Sequence, residues 1–600
     1  MLPQSITEQR IKIYLLAAFV GLVAGLAAVA LRYLIFGISL LFVTIPNTLG
    51  PAGWIIAPGL GGLLVGIIVI KYAPETKGHG VPEIMEAYTL RGGKMRTRTP
   101  LLKSLASAIC IGSGGSSGRE GPIAQIGGGV GSAIAQYLKL NARMTKTLVV
   151  CGVSAGVAAT FNAPLGGFLF GIEVIAGGIV GFSVIPVILA SVLATAVSGV
   201  LIGSYPAFES PLFNMGNYLE LFLYLGLGIA LGFLSIVWSR GFYKIEDILE
   251  KVKLSPYALP AIGGILVGGL AIIALFLETQ FGYFGSFKPE DPLFPAIIGV
   301  DYAFINSALA GTVVIGALLA FGFLKALATS LTLGSGGSGG VFAPTLYIGT
   351  AVGGAFGLAF SFLFPTVVTQ PMAFALVGMA ALFAGTGRAP ITIIVMVMEM
   401  TKDYSMILPL MIAVSTSFLI SSTIEENSIY TFKLLRRGVN INQSRYVIAL
   451  KDVSVWQIMT VKPTLLKPEM TIEEVLDIVD ATQHTKFPVV DDEGSIIGIL
   501  LTEDLFHDEE KKEDPLKVKD IMKSSFLHLN PNCTMDSVVH EMLERQEGHA
   551  VIVNPEQPNV MLGFITKADV LRAYEFAINQ LQEDGELVEG ISPAELVDVK

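Results

Sequence analysis

Two stretches of this chain, 222 positions apart, read almost alike. Gly112-Ser113-Gly114-Gly115-Ser116-Ser117-Gly118-Arg119-Glu120-Gly121-Pro122 aligns with Gly334-Ser335-Gly336-Gly337-Ser338-Gly339-Gly340-Val341-Phe342-Ala343-Pro344; the offset is 334 − 112 = 222, and seven positions are identical. A second match follows in the same order. Ala163-Pro164 aligns with Ala389-Pro390, and Glu173 with Glu399, at 389 − 163 = 226. Small residues recur in membrane helices because they let helices approach closely. That does not place Pro and Glu at fixed positions. A duplication of this kind predicts two halves related by a pseudo-two-fold axis, with a binding site near the bilayer midplane where broken helices meet.

The membrane assignment itself comes from charge. Of 600 residues, 15% are charged and 52% hydrophobic, against about 25% charged in an average soluble protein. The runs 13–31, 54–69, 221–237, 261–277 and 374–384 are nearly free of charge. Several approach the roughly 20 apolar residues that span a bilayer as a helix. Others are shorter and interrupted by Gly and Pro, which predicts broken or re-entrant helices. Residues 3–12 are polar, and the apolar run after them is too long for the core of a signal peptide, so no cleavable signal is expected. Arg10 and Lys12 before that run put the N-terminus in the cytosol. Cys110, Cys151 and Cys533 are too few to form a disulfide framework. The chain shows no Walker loop, metal-ligand cluster or triad-like arrangement, which argues against an enzyme, a metal site or a metal transporter.

Both repeated loops run directly into Pro and an apolar stretch. Pro suits the first turn of a helix, where its missing N–H costs nothing. Gly lets the backbone turn sharply and approach a ligand. The result is a helix N-terminus inside the membrane, whose N–H groups and positive dipole end favour an anion. Gly78-His79-Gly80-Val81-Pro82-Glu83 has the same form.

Together, Gly118 to Pro122, Gly340 to Pro344 and Gly78 to Pro82 resemble the three signature loops of the CLC chloride channel and transporter family. The resemblance covers essentially all of 1–435. It implies an all-α polytopic domain of tilted and broken helices in two inverted repeats, and a homodimer with one pore per subunit. It also implies that chloride or another small anion is the substrate. Glu120 matches the family's gating glutamate, whose carboxylate competes with the anion for its site. His79 and the backbone amides of Val341 and Phe342 match anion-binding positions, and Tyr430 matches a tyrosine that donates to the same anion. Lys103 falls where some members bury a lysine; a surface lysine extending toward water is the other reading.

Two departures matter. Many members carry Ser where this chain has His79, and imidazole titrates near neutral pH. Proton-coupled members resemble Phe-Asn-Ala-Pro followed by two consecutive glutamates. Here Phe161-Asn162-Ala163-Pro164 leads to Glu173 and then Val174, so the proton-carrying position is lost and Glu173 reads as structural. Valine is common there in channel members. The expectation is therefore a gated chloride channel of the cell membrane. The alternatives are a proton-coupled anion exchanger and a membrane sensor without transport.

Beyond Asn440 charges become frequent, and the net charge of −10 resides largely there. The divisions expected are a membrane domain at 1–440, a linker at 441–452, soluble units at 453–511 and 512–578, and an acidic tail at 579–600. Each soluble unit reads as a helix, two β runs and a helix, with Gly498 to Asp504 spaced as Gly563 to Asp569. This is similar to a cytosolic α/β tandem CBS pair. The resemblance implies an adenine nucleotide (ATP, ADP or AMP) held by Thr566 and Asp569, with Thr502 and Asp504 as the weaker counterpart. An Asp at a helix start is otherwise a cap. No cofactor is required by this reading.

Overall fold

Glycine pairs set how closely the membrane helices cross. A computed structural model describes residues 4–177, 184–252, 254–282, 295–300, 302–439, 450, 453–506 and 516–583. The linker at 441–452 and the tail beyond 583 lie almost wholly outside the described residues. Two compact units result, 1–441 and 442–600.

The first unit is helical. Its first half holds α1 (Gln4–Leu49), α2 (Gly53–Ile67), α3 (Val81–Leu90), α4 (Thr99–Gly112), α5 (Glu120–Tyr137), α6 (Ala142–Phe161), α7 (Pro164–Phe170) and α8 (Val184–Leu201). The second holds α9 (Glu220–Glu250), α10 (Leu259–Phe281), α11 (Tyr302–Leu309), α12 (Ile315–Gly334), α13 (Phe342–Leu363), α14 (Ala373–Gly387), α15 (Pro390–Thr401), α16 (Ile407–Ile424) and α17 (Ile429–Arg436). Among the described residues, 8 segments are long and apolar enough to cross a membrane. Helix α1 continues for 46 residues through Pro46, well past the apolar run that announces it. Helices α7 and α15 have 7 and 12 residues and span nothing alone.

The halves repeat their contacts. In α5 and α6, a Cβ on Gly127 would overlap the carbonyl of Gly152, and the reverse holds. In α13 and α14, Gly349 and Gly378 stand in the same relation. The offsets are 349 − 127 = 222 and 378 − 152 = 226. Any side chain there would push the helices apart, which is why small residues occupy these crossings.

Two half-buried glutamates tie the halves together. Glu173, in a π-helical turn after α7, accepts from the amides of Ile391 (3.3 Å) and Thr392 (2.7 Å) at the start of α15. Glu399, on α15, accepts from the amides of Leu165 (3.1 Å) and Gly166 (2.7 Å) at the start of α7. Each carboxylate satisfies amides that a helix N-terminus leaves without intrahelical acceptors. The exchange is the reciprocity that a pseudo-two-fold axis requires.

The second unit carries β1 (Lys486–Val490) antiparallel to β2 (Ile496–Leu501), and a sheet ordered β3 (His528–Leu529), β4 (His549–Asn554), β5 (Gln557–Thr566). In that sheet β3 is parallel to β4, and β4 antiparallel to β5. The helix Lys567–Glu583 follows β5, while only the 3-10 turn Thr502–Phe506 follows β2 within the described residues.

Candidate anion site

Three Gly/Ser turns meet inside the first unit and are stitched by backbone hydrogen bonds. The amide of Gly118 donates to Gly340 O (2.8 Å), and that of Gly78 to Gly337 O (2.9 Å). Positive φ at Gly78 (74°) and Gly80 (81°) forms the turn that presents His79, a conformation costly for a side-chain-bearing residue.

Two lysines hold the loops from behind. Lys103 is fully buried and donates to Thr76 O (2.9 Å) and Gly78 O (2.8 Å). The reading of Lys103 as a lysine reaching toward water is thus corrected: its chain runs inward to two carbonyls. Lys325 does the same in the second half, donating to Ile297 O (3.1 Å) and Gly299 O (2.9 Å). The offset is 325 − 103 = 222. Sequence reasoning missed Lys325, although that offset was the signal that would have found it.

Glu120 begins α5, is 3% exposed, and lies against the start of α13. Its Oε1 accepts from Tyr302 Oη at 2.6 Å. Its own amide and that of Ala343 are directed at the carboxylate, but Oε2 closes no full hydrogen bond among the described residues. The carboxylate thus rests in the amide field of a helix N-terminus, where a free anion would also rest. Arg119 stacks over the Tyr302 ring at 5.3 Å. No motif pointed to Tyr302.

Val341 and Phe342 are buried at the N-cap and first position of α13. The Phe342 ring is fixed by Phe383 (4.4 Å), Phe161 (5.1 Å) and Phe170 (6.4 Å). Tyr430 sits in the first turn of α17, which Ser428 caps by accepting from the amides of Tyr430 (3.2 Å) and Thr431 (3.1 Å). Its ring lies 5.7 Å from that of His79. His79, Glu120, Val341, Phe342 and Tyr430 thus occupy one buried region. Val174 is buried in the π-helical turn and carries no titratable group.

In the second unit the residues expected to hold a nucleotide are engaged within the chain. Asp569 Oδ2 accepts from Thr566 N (2.7 Å) and Thr566 Oγ1 (2.8 Å), and Oδ1 takes Arg572. Asp569, in the first turn of its helix, therefore reaches back to the amide that precedes it, as the acid of a capping box does. Asp504 pairs with Lys523 at 3.2 Å, and Thr502 Oγ1 donates to Thr485 O at 3.4 Å. A cavity of about 340 Å³ opens nearby, lined by Lys486, Lys523, Lys567, Gly548 and His549 among others, without Thr566 or Asp569. Burial, then Lys486 and Lys523, hold the His549 imidazole down to about 4, so it is neutral near pH 7.

Comparison with known proteins places this geometry. The family described as voltage gated chloride channel matches residues 61–422, and the CBS domain family matches 452–509 and 518–575. An H(+)/Cl(−) exchange transporter of Yersinia pseudotuberculosis is 31% identical over 456 residues, covering 74% of this chain and 91% of the relative. A putative chloride channel protein of Ralstonia nicotianae is 30% identical over 389 residues, covering 64% and 85%. Among solved structures, a slow cyanobacterial Cl−/H+ antiporter matches with TM-score 0.62 at 26% identity, over 71% of this chain and 97% of that one. A eukaryotic CLC transporter matches with TM-score 0.59 at 19% identity, over 94% and 98%, a likeness of fold.

Proposed function

The chain belongs to the voltage gated chloride channel family, and from that premise we propose that it is a proton-coupled chloride exchanger. The observation that carries the reading is Glu120. Its carboxylate lies at the N-terminus of α13, so it competes there with chloride until it takes a proton. A carboxylate inside a membrane segment is costly and is kept for function. The gated-channel expectation leaned on Val174, which removes one proton position and no more. The relatives named as H(+)/Cl(−) exchange transporters and the antiporter structure favour exchange over a passive channel. They equally disfavour a sensor without transport.

In this reading His79, the amides of Val341 and Phe342, and Tyr430 bind the anion, and Glu120 is the gate. The protein works as a homodimer in the cell membrane, with the N-terminus and the CBS pair in the cytosol. Support for the dimer comes from α7 and α15, which are too short to span a bilayer and present Leu165 and Ile391 outward at 54% and 57% exposure. A second copy would cover them. An adenine nucleotide would regulate transport from the CBS cavity, its phosphates drawn by Lys486, Lys523 and Lys567.

Purified protein in liposomes, given a chloride gradient with potassium and valinomycin setting the voltage, tests the reading. Protons moving uphill, and ceasing to do so in Glu120→Gln while chloride still flows, is the expected result. Chloride leaving with no proton movement would return the account to a channel.

A further inference from the structure

His79 is 1% exposed and sits among three elements besides its own. Phe242 and Tyr243 approach from α9, Tyr430 from α17, and the His79 carbonyl packs directly on Gly121 of α5, where any Cβ would overlap it. The imidazole Nε2 lies 3.2 Å from Tyr243 Oη. That hydroxyl has one hydrogen, and it donates it to the carbonyl of Ile429. Toward His79 it can therefore only accept, so Nε2 carries the hydrogen. The other nitrogen, Nδ1, is then a bare lone pair. It is buried and has no hydrogen-bond partner among the described residues. A neutral ring in this tautomer offers an anion a lone pair at Nδ1, and no donor. A protonated ring offers an N–H.

We propose that His79 is a second proton-carrying group of the anion pathway, taking a proton at Nδ1 as chloride binds and releasing it as chloride leaves. The inference rests on the exchange reading above and supplies the proton carrier that Val174 cannot be. In the step, an N–H bond forms at Nδ1 while an O–H bond breaks in hydronium or in the protonated Glu120 carboxyl. On release the N–H bond breaks and an O–H bond forms in water or in the Glu120 carboxylate, on the side opposite to the departing chloride. The new N–H donates to chloride, a charge-assisted hydrogen bond.

The surrounding charges favour paired entry. Lys103 on α4 and Lys433 on α17 flank the turn, Lys433 donating to Lys77 O at 3.3 Å. Arg437 pairs with Glu83 of α3, and Glu246 of α9 pairs with Arg436 at 3.5 Å. Tyr243, Tyr430 and Glu120 complete the titratable groups around the ring. A proton entering with a chloride adds no net charge beside these cations.

Calorimetry on the full-length protein decides the matter. Chloride is titrated in buffers of different ionisation enthalpy, which counts protons taken up per anion. Glu120→Gln removes the gate's own proton from the count. Uptake of about one proton per chloride should persist in that variant at neutral pH and vanish when His79→Gln is added. Chloride binding to Glu120→Gln without proton uptake would overturn the proposal. A second readout is the liposome flux ratio. His79→Gln should lower protons moved per chloride at least several-fold, whatever its effect on chloride flux; an unchanged ratio overturns it too. If the unaltered protein moves no protons, the exchange reading fails, and the calorimetric count still decides the role of His79.

Discussion

The two halves of the membrane unit share their scaffold and differ in their chemistry. Lys103 and Lys325 tie down equivalent loops, Glu173 and Glu399 cap each other's helices, and the glycine crossings recur at the same offsets. At the position where the first half has Glu120, the second has Phe342, at 342 − 120 = 222. One helix N-terminus thus brings a carboxylate and the other an apolar ring. A duplicated frame fixes where the helix ends meet; the unmatched residues decide what happens there. The CBS pair repeats the lesson. Lys486 pairs across its strand with Leu501, and His549 with Thr566, so a fixed cation in one unit faces a titratable ring in the other.

If the shared scaffold is structural, damage to either half should cost alike. Lys103→Met and Lys325→Met each remove two hydrogen bonds from a buried ammonium to loop carbonyls, and bonds to charged groups contribute about 1.5–3 kcal/mol each. Equal falls in unfolding temperature in detergent would support the symmetry. A large fall for one variant alone would break it.

The CBS asymmetry predicts a pH effect on that unit alone. The folded His549 sits near 4, below its ordinary value of 6.5. The unfolded chain therefore binds the proton more readily. Stability from this residue is fully present above about pH 6.5 and is lost as pH falls toward 4, by up to about 3 kcal/mol at 1.36 kcal/mol per unit. Hydrogen exchange of β4 in the full chain should quicken over that window, and His549→Gln should flatten the response.

The gate should loosen without its hydroxyl partner. Tyr302→Phe removes the 2.6 Å bond to Glu120, and bonds to charged groups contribute about 1.5–3 kcal/mol. Chloride flux should rise by about tenfold in liposomes, with proton coupling kept. The smallest effect concerns the reciprocal caps. Glu173→Gln and Glu399→Gln should each cost about 1 kcal/mol, as other lost caps do, visible as matched small shifts in unfolding temperature.

Much of this frame was legible because it was written twice. Repeated Gly, Pro and Glu at fixed offsets announced the halves, and Glu120, Phe342 and Tyr430 do lie in one region. The family followed from the same loops, and the CBS pair from the matched spacing of Gly498 to Asp504 and Gly563 to Asp569. What escaped notice lacked a local signature. Tyr302 follows a stretch with no repeated motif, and only the three-dimensional chain path carries it to Glu120. Lys325 sits in an apolar run where a lysine ordinarily reaches for water, and its partners are carbonyls 28 and 26 residues upstream. The spacing in the sequence did not show that Asp569, expected at a nucleotide, also bonds Thr566 at its own helix start and Arg572.

The account's central claim is that chloride movement is tied to protons at Glu120. The most direct measurement is the reversal potential across a planar bilayer containing the protein, with equal chloride on both sides and a tenfold proton gradient. Coupled exchange predicts a reversal displaced from zero, in the direction set by the proton gradient, and returned to zero by Glu120→Gln. A reversal that stays at zero in the unaltered protein would contradict the account and leave a passive chloride pathway.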